Sequence, residues 1–213
     1  MPVDVKICGL TTADAVAAAV EGGARYVGFV FFPPSPRSLS PAQAAALLAS
    51  SPRGPLRVGL FVDADDALIG SVLSACALDM VQLHGAEPPA RVAEVRARFG
   101  RPVIKAVAIA DDGDLVRAHR YEDVADLLLF DARPPTGATR PGGNARRFDW
   151  ALIKGRGWRL PWLLAGGIDA DNLAAAVRAS GARAVDVSSG VEDRPGVKNP
   201  ARIRALLDRA AAL

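Results

Sequence analysis

Cysteine is scarce in this chain: Cys8 and Cys76 are the only two among 213 residues. A disulfide framework is therefore not expected, and both thiols should be reduced. Histidine is equally rare. His84 and His119 stand far apart in a chain with no CxxC and no HExxH, so no metal site is expected. No segment approaches the roughly 20 apolar residues that a membrane span needs. The opening MPVDVKICGL has neither the charged region nor the long apolar region of a signal peptide. A cytoplasmic protein with no membrane contact is the expectation. Lysine numbers only four against 22 arginines, for a net charge of +3. No basic run is interleaved with the few aromatics, so no nucleic-acid partner is expected.

The sequence does contain short apolar runs that alternate with alanine-rich helical stretches from end to end. The runs are Val3–Ile7, Tyr26–Phe32, Val58–Val62, Met80–Leu83, Val103–Val107, Leu127–Phe130, Trp162–Leu164 and Ala184–Val187. Continuous rather than alternating hydrophobicity suits parallel strands covered on both faces. Helices are expected over Thr12–Glu21, Pro41–Ala49, Asp65–Ala75, Pro88–Phe99, Asp112–His119, Trp150–Lys154, Ala170–Ala179 and Pro200–Ala211. Ser40-Pro41 and Asn199-Pro200 put an N-cap ahead of proline at the first helical position. Glu21-Gly22-Gly23 and Ser180-Gly181 read as helix ends.

Eight such units without a break in composition predict an α/β fold, a single (β/α)8 TIM barrel over residues 1–213. An open doubly wound sheet would usually show a glycine fingerprint after an early strand, and there is no GxGxxG. The one long irregular stretch, Ala132–Phe148, reads as a functional or disordered loop.

A barrel of this kind builds its active site from the residues just past the C-terminal end of each strand. Here those are Cys8-Gly9, then FPPSPRS, Asp63, His84-Gly85, Asp131, Gly166-Gly167 and Ser188-Ser189-Gly190. A thiol, an arginine, a histidine and two carboxylates on one rim exceed what turns require. By position alone Cys8 reads equally as a buried structural thiol, and Asp131 as a cap or solvated strand end. Cys76, inside the third helix, reads as structural. Gly166 and Gly167 after the seventh strand, with Ser188, Ser189 and Gly190 after the eighth, predict a phosphate site. Backbone N–H groups converge at such turns, and glycine lets an oxyanion approach.

KICGLT, PPSPRSLSP, GLFVD, QLHG, FDARPPTGATRPGGN with FDW, LAGGI, and VDVSSGVE with PGVK occur in this order. Together they resemble the phosphoribosylanthranilate isomerase family of tryptophan biosynthesis over nearly the whole chain. The resemblance implies a (β/α)8 barrel that needs no cofactor and acts on a small phosphorylated substrate by an Amadori rearrangement. It implies that Cys8 is the base and Asp131 the acid. A free thiol has a pKa of about 8.5, and a free aspartate about 3.9, so each role asks for a tuned environment. It further implies that Arg37 binds the anionic aromatic end of the substrate, where guanidinium offers a planar match to carboxylate. Asp186 resembles a helper in the pocket. His84 either lines the pocket or finishes its strand through the backbone. A monomer is expected.

Two departures stand out. Many relatives have a further glycine after PGGN, where this chain has Ala145, Arg146 and Arg147. Asn199 replaces an expected aspartate but remains a good N-cap. Sister phosphate-binding barrels fit less well. Indole-glycerol-phosphate synthase calls for a lysine acid and rim glutamates, and a dual-substrate isomerase for two carboxylates. A non-catalytic phosphate-ligand-binding paralogue on the same barrel should have lost either the acid or the base.

Overall fold

The computed structural model describes residues 2–135, 137–138, 140–143 and 146–213. Eight parallel strands close in sequence order into a barrel: β1 Asp4–Cys8, β2 Tyr26–Val30, β3 Leu56–Phe61, β4 Met80–Leu83, β5 Val103–Ile109, β6 Leu127–Ala132, β7 Trp162–Leu164 and β8 Ala184–Val187. The helices are α1 Ala13–Glu21, α2 Pro41–Ala49, α3 Asp66–Ala75, α4 Pro89–Phe99, α5 Asp112–Ala118, α6 Leu173–Ser180 and α7 Pro200–Ala211.

Local chemistry sets most boundaries. Ser40 and Gln43 form a reciprocal capping box at α2. Asn199 accepts from the N–H groups of Ala201 and Arg202 at the start of α7. Gly181 ends α6 in the left-handed conformation at φ 76°. Two helices differ from expectation. Trp150–Ile153 is a single 3-10 turn, capped by Asp149 and soon followed by Gly155 and Gly157, both at positive φ. α6 starts at Leu173 rather than Ala170, because Asp169 Oδ1 accepts from the N–H groups of Asp171 and Asn172 and holds 169–172 in a turn. A short antiparallel pair, β9 Glu192–Arg194 and β10 Val197–Lys198, lies between β8 and α7 and was not expected.

The strands also run differently at their ends. β1 includes Cys8, which pairs in register with Gly28 of β2. β6 runs to Ala132, so Asp131 sits within the strand rather than after it. Side chains alternate inward and outward along each strand. Outward positions such as Val5, Ile7, Phe29, Val81, Leu128 and Val185 join the helices in the main core. Inward positions Val58, Met80, Ile104, Leu129 and Leu163 fill the lower barrel, while Cys8, Val30 and Leu60 form an apolar layer above. Lys6, Gln82 and Asp186 are buried polar residues on the strands. They share the inward alternation.

Candidate active site

At the C-terminal end of the strands a cavity of about 760 Å3, including its open mouth, is lined by residues from most of the strand ends. It gathers Cys8, Arg37, His84, Asp131, Gly166, Gly167, Asp186, Ser188 and Ser189, nine of the ten residues expected from sequence. Gly190 lies outside it, lining a neighbouring depression with Gly167 and Ser189. A Cβ at position 190 would run into the Ile168 carbonyl oxygen, so packing of the adjacent turns already requires glycine there.

Cys8 is buried at the cavity wall, 4% exposed. Burial pushes its thiol above the ordinary range. Lys6 pulls it back by charge and hydrogen bonding, Asp186 pushes it up, and Lys198 adds a smaller downward pull; the net direction is upward. Lys6, one inward step below on β1, is fully buried. Its Nζ donates to Asp186 Oδ1 at 2.8 Å, and strand register sets those two residues side by side. Burial opposes the ammonium, but Asp186 and Cys8 outweigh it and hold Lys6 above the ordinary lysine range.

Three strands away around the ring, Asp131 projects from β6. Its Oδ1 accepts the Ala132 N–H at 2.8 Å, and its Oδ2 faces His84 Nε2 at 3.4 Å. His84 both lines the cavity and extends β4 by donating its N–H to the Phe61 carbonyl at 2.8 Å. Its Nδ1 is 2.8 Å from Gln82 Nε2, while Gln82 Oε1 is buried without a partner among the described residues. Exchanging the ends of that amide would let Oε1 accept from Nδ1–H. It would also turn a lone pair of His84 Nε2 toward Asp131.

Arg37, 4% exposed, spends one edge of its guanidinium on Glu192: Nε to Oε1 at 2.7 Å and NH2 to Oε2 at 2.8 Å. Among the described residues its NH1 makes no hydrogen bond. Glu192 Oε1 also accepts from Lys198 Nζ at 2.7 Å, and Lys198 donates to the carbonyl of Ser188 at 2.9 Å. Burial raises Glu192, but Arg37 and Lys198 reverse this and hold it below its ordinary range. The β9–β10 hairpin thus locks the arginine and the turn after β8 together. Sequence reading missed Lys6, Glu192 and Lys198. Of the three, Lys6 carried a local signal, its spacing of two from Cys8 on one strand.

The loop after β6 comes down over the rim. A Cβ at Gly142 would lie 2.6 Å from His84 Nε2 and 2.9 Å from Asp131 Oδ2, and one at Gly143 would lie 2.5 Å from Arg37 NH1. The glycine pair allows backbone to press against all three side chains. Ala145, the position of the missing glycine, lies outside the described residues. Arg146 lines the cavity. Arg147 instead donates to the Gly167 carbonyl at 3.1 Å, pairs with Asp169 and stacks over Trp150. At the turn after β7, Gly166 and Gly167 adopt φ of 92° and 65°. Among the described residues their N–H groups have no protein acceptor. Cys76 caps the end of α3 and does not line the cavity; its Sγ lies against the Pro41 carbonyl. No helix among the described residues is long and apolar enough to cross a membrane.

Known proteins share this architecture and sequence. A relative in Paracoccus denitrificans (strain Pd 1222), an N-(5'-phosphoribosyl)anthranilate isomerase, is 58% identical over 212 residues, covering 100% of this chain and 99% of its own. The phosphoribosyl anthranilate isomerase of Thermotoga maritima superposes with a TM-score of 0.88 at 37% identity, over 99% of this chain and 100% of that one. A phosphoribosyl anthranilate isomerase solved with reduced 1-(o-carboxyphenylamino)-1-deoxyribulose 5-phosphate gives 0.85 at 36% identity, again over 99% and 100%. The family model described as N-(5'phosphoribosyl)anthranilate (PRA) isomerase matches residues 5–209, a span that takes in all of the barrel but Asp4 and the end of α7, with its rim of thiol, carboxylates and glycine turns. The chain belongs to the N-(5'-phosphoribosyl)anthranilate isomerase family.

Proposed function

We propose that Cys8 and Asp131 divide between them the proton transfers of the family's aldose–ketose isomerisation, with residues 1–213 working as one catalytic domain. The reaction turns N-(5'-phosphoribosyl)anthranilate into 1-(o-carboxyphenylamino)-1-deoxyribulose 5-phosphate, a step of tryptophan biosynthesis. Asp131 Oδ2 gives its proton to the furanose ring oxygen as the C1–O bond breaks, and the anilino nitrogen lone pair forms the C1=N bond. The Cys8 thiolate then takes the proton from C2. The C2–H electron pair becomes the C1=C2 bond, and the C1=N pair returns to nitrogen. The resulting enolamine gives the ketose by tautomerisation.

One observation carries this reading: a thiol and a carboxyl face a single cavity from strands three apart, with two glycine-bearing turns between them. Phosphate held at Gly166, Gly167, Ser188 and Ser189 would fix one end of the substrate, with Gly190 supporting the turn from outside. The free side of Arg37 would take the anthranilate carboxylate at the other end. Asp186 serves through Lys6, and His84 through Asp131. A monomer is the working unit in this reading. A base that must stay a free thiol suits the cytoplasm.

The test monitors the fluorescence of phosphoribosylanthranilate generated in situ. Wild-type protein should consume it rapidly. Cys8→Ala and Asp131→Asn should each lose about 10²–10⁴-fold in kcat, the usual worth of a positioned acid or base, while still binding the reduced product analogue. Near-normal turnover in either folded variant would remove that residue from its role. Wild-type protein that binds the analogue without turnover would favour the non-catalytic paralogue.

A further inference from the structure

The roles given to Cys8 and Asp131 leave the buried charge beside the thiol without a task. Lys6 is wholly inside the barrel, where neighbouring inward positions are filled by Met80, Ile104, Leu129 and Leu163. A lysine there costs desolvation that an apolar side chain of similar length avoids. Its placement is specific. Nζ donates to Asp186 Oδ1 at 2.8 Å. Gly28, the register partner of Cys8, keeps open the space next to it: a Cβ at position 28 would lie 3.0 Å from both Cys8 Sγ and Lys6 Nζ. The two atoms therefore border one space, which glycine leaves clear.

We propose that Lys6 is a positioning residue for the deprotonation step, its ammonium fixed by Asp186 and turned toward Cys8 Sγ so that the thiolate has a cation and a donor beside it. The proposal rests on the reading of Cys8 as base. Cys8 releases its proton through the open cavity and later recovers one from C2 of the substrate. Lys6 keeps all three of its protons throughout, and Asp186 stays a carboxylate. The other charged groups around the thiol are Lys198 from β10 and, lining the same cavity, Arg37, His84, Asp131, Arg140 and Arg146. Of these Lys198 adds to the pull of Lys6 on the thiol. The direction of each effect agrees with the geometry: Lys6 draws the thiol down against burial, and its own charge is sustained by Asp186 and Cys8.

The experiment titrates Cys8 in the free protein, in a Cys76→Ala background, by thiolate absorbance and by iodoacetamide rate against pH. Lys6→Met should move the midpoint upward by one unit or more, since a near opposite charge shifts a titrating group by about 1–3 units. The pH optimum of kcat should move in the alkaline direction with KM little changed, and Lys6→Arg should restore part of both. If Lys6→Met fails to fold because Asp186 is stranded, Lys6→Met with Asp186→Asn carries the test, and its midpoint should still lie above that of the wild type. An unmoved midpoint in a folded Lys6→Met protein overturns the proposal, as does a double variant at or below the wild-type midpoint. Turnover by Cys8→Ala would instead sink the reading of Cys8 as base. Loss of turnover in Cys8→Ala, with titration unmoved in Lys6→Met, would sink only the role of Lys6.

Discussion

Glu192 offers a sharp test of how this site is held. It is buried, accepts from both Nε and NH2 of Arg37, and accepts from Lys198. Glu192→Gln keeps the shape, loses the charge and leaves two cations facing one amide. Removing one partner from a buried ion pair costs about 3–5 kcal/mol. At about 2–4 °C per kcal/mol for a chain of this size, the melting temperature should fall by roughly 6–20 °C. Arg37 would also lose the clamp that aims its free side, and a hydrogen bond to a charged group is worth about 1.5–3 kcal/mol. KM for the substrate should therefore rise about tenfold or more.

The loss of stability should depend on pH, and its sign is fixed. Burial pulls Lys198 below the ordinary lysine range, and Glu192 is the main influence holding it up. Without Glu192 it falls further. Where the folded pKa lies below the unfolded value, the unfolded chain binds more protons, and stability rises with pH through that window. The window opens at lower pH in the variant than in the wild type. The difference in melting temperature should accordingly narrow as pH rises from neutral toward the ordinary lysine value of about 10, as the variant's Lys198 sheds its proton. Thermal denaturation by circular dichroism across that range, with steady-state kinetics at neutral pH, measures both effects. A fall of under about 3 °C, or a larger gap that stays flat with pH while KM is unmoved, would refute the clamp.

Two contacts at the rim give further expected outcomes. Gly167→Ala would place a Cβ 2.7 Å from Arg147 Cγ and 2.9 Å from the Arg146 carbonyl at a φ of 65°. It should weaken inhibition by inorganic phosphate and raise KM, with kcat less affected. Gly142→Ala would push a methyl group against His84 Nε2 and Asp131 Oδ2. It should lower kcat more than it changes phosphate inhibition, and the opposite pattern would misplace the acid.

The eight strands are legible because parallel strands covered on both faces read as unbroken apolar runs, and the helices between them carry their own caps. The ends are harder. Cys8 and Asp131 read as the first residues past their strands, yet both belong to them, since pairing with Gly28 and with Ala108 continues the ladders past the last clearly apolar residue. Trp150–Ile153 has the apolar content of a helix but not the length, confined between Asp149 and two glycines at positive φ. The β9–β10 hairpin has a turn signal in Pro195-Gly196 but no apolar alternation in its strands. Glu192, Asp193 and Arg194 read as loop, and the reason Glu192 is buried lies 155 residues back in the chain, at Arg37.

The same distinction separates the parts of the site. Residues proposed to meet the substrate stand at strand ends, where a change from apolar to polar marks them. Residues that set the behaviour of those groups lie one step deeper or in another element, and their meaning comes from whom they touch. Lys6 is the intermediate case. Alternation along Val5, Lys6, Ile7 and Cys8 puts the lysine and the thiol on one inward face, so the sequence contains the pairing in the barrel. What it lacks is Asp186, 180 residues away and joined to Lys6 only by closure of β8 against β1. Closing the barrel therefore does more than shape a cavity. It brings together the carboxylate, the ammonium and the thiol of the proposed proton abstraction, and on that proposal an opening of the β1–β8 seam should abolish abstraction before the rest of the core is lost.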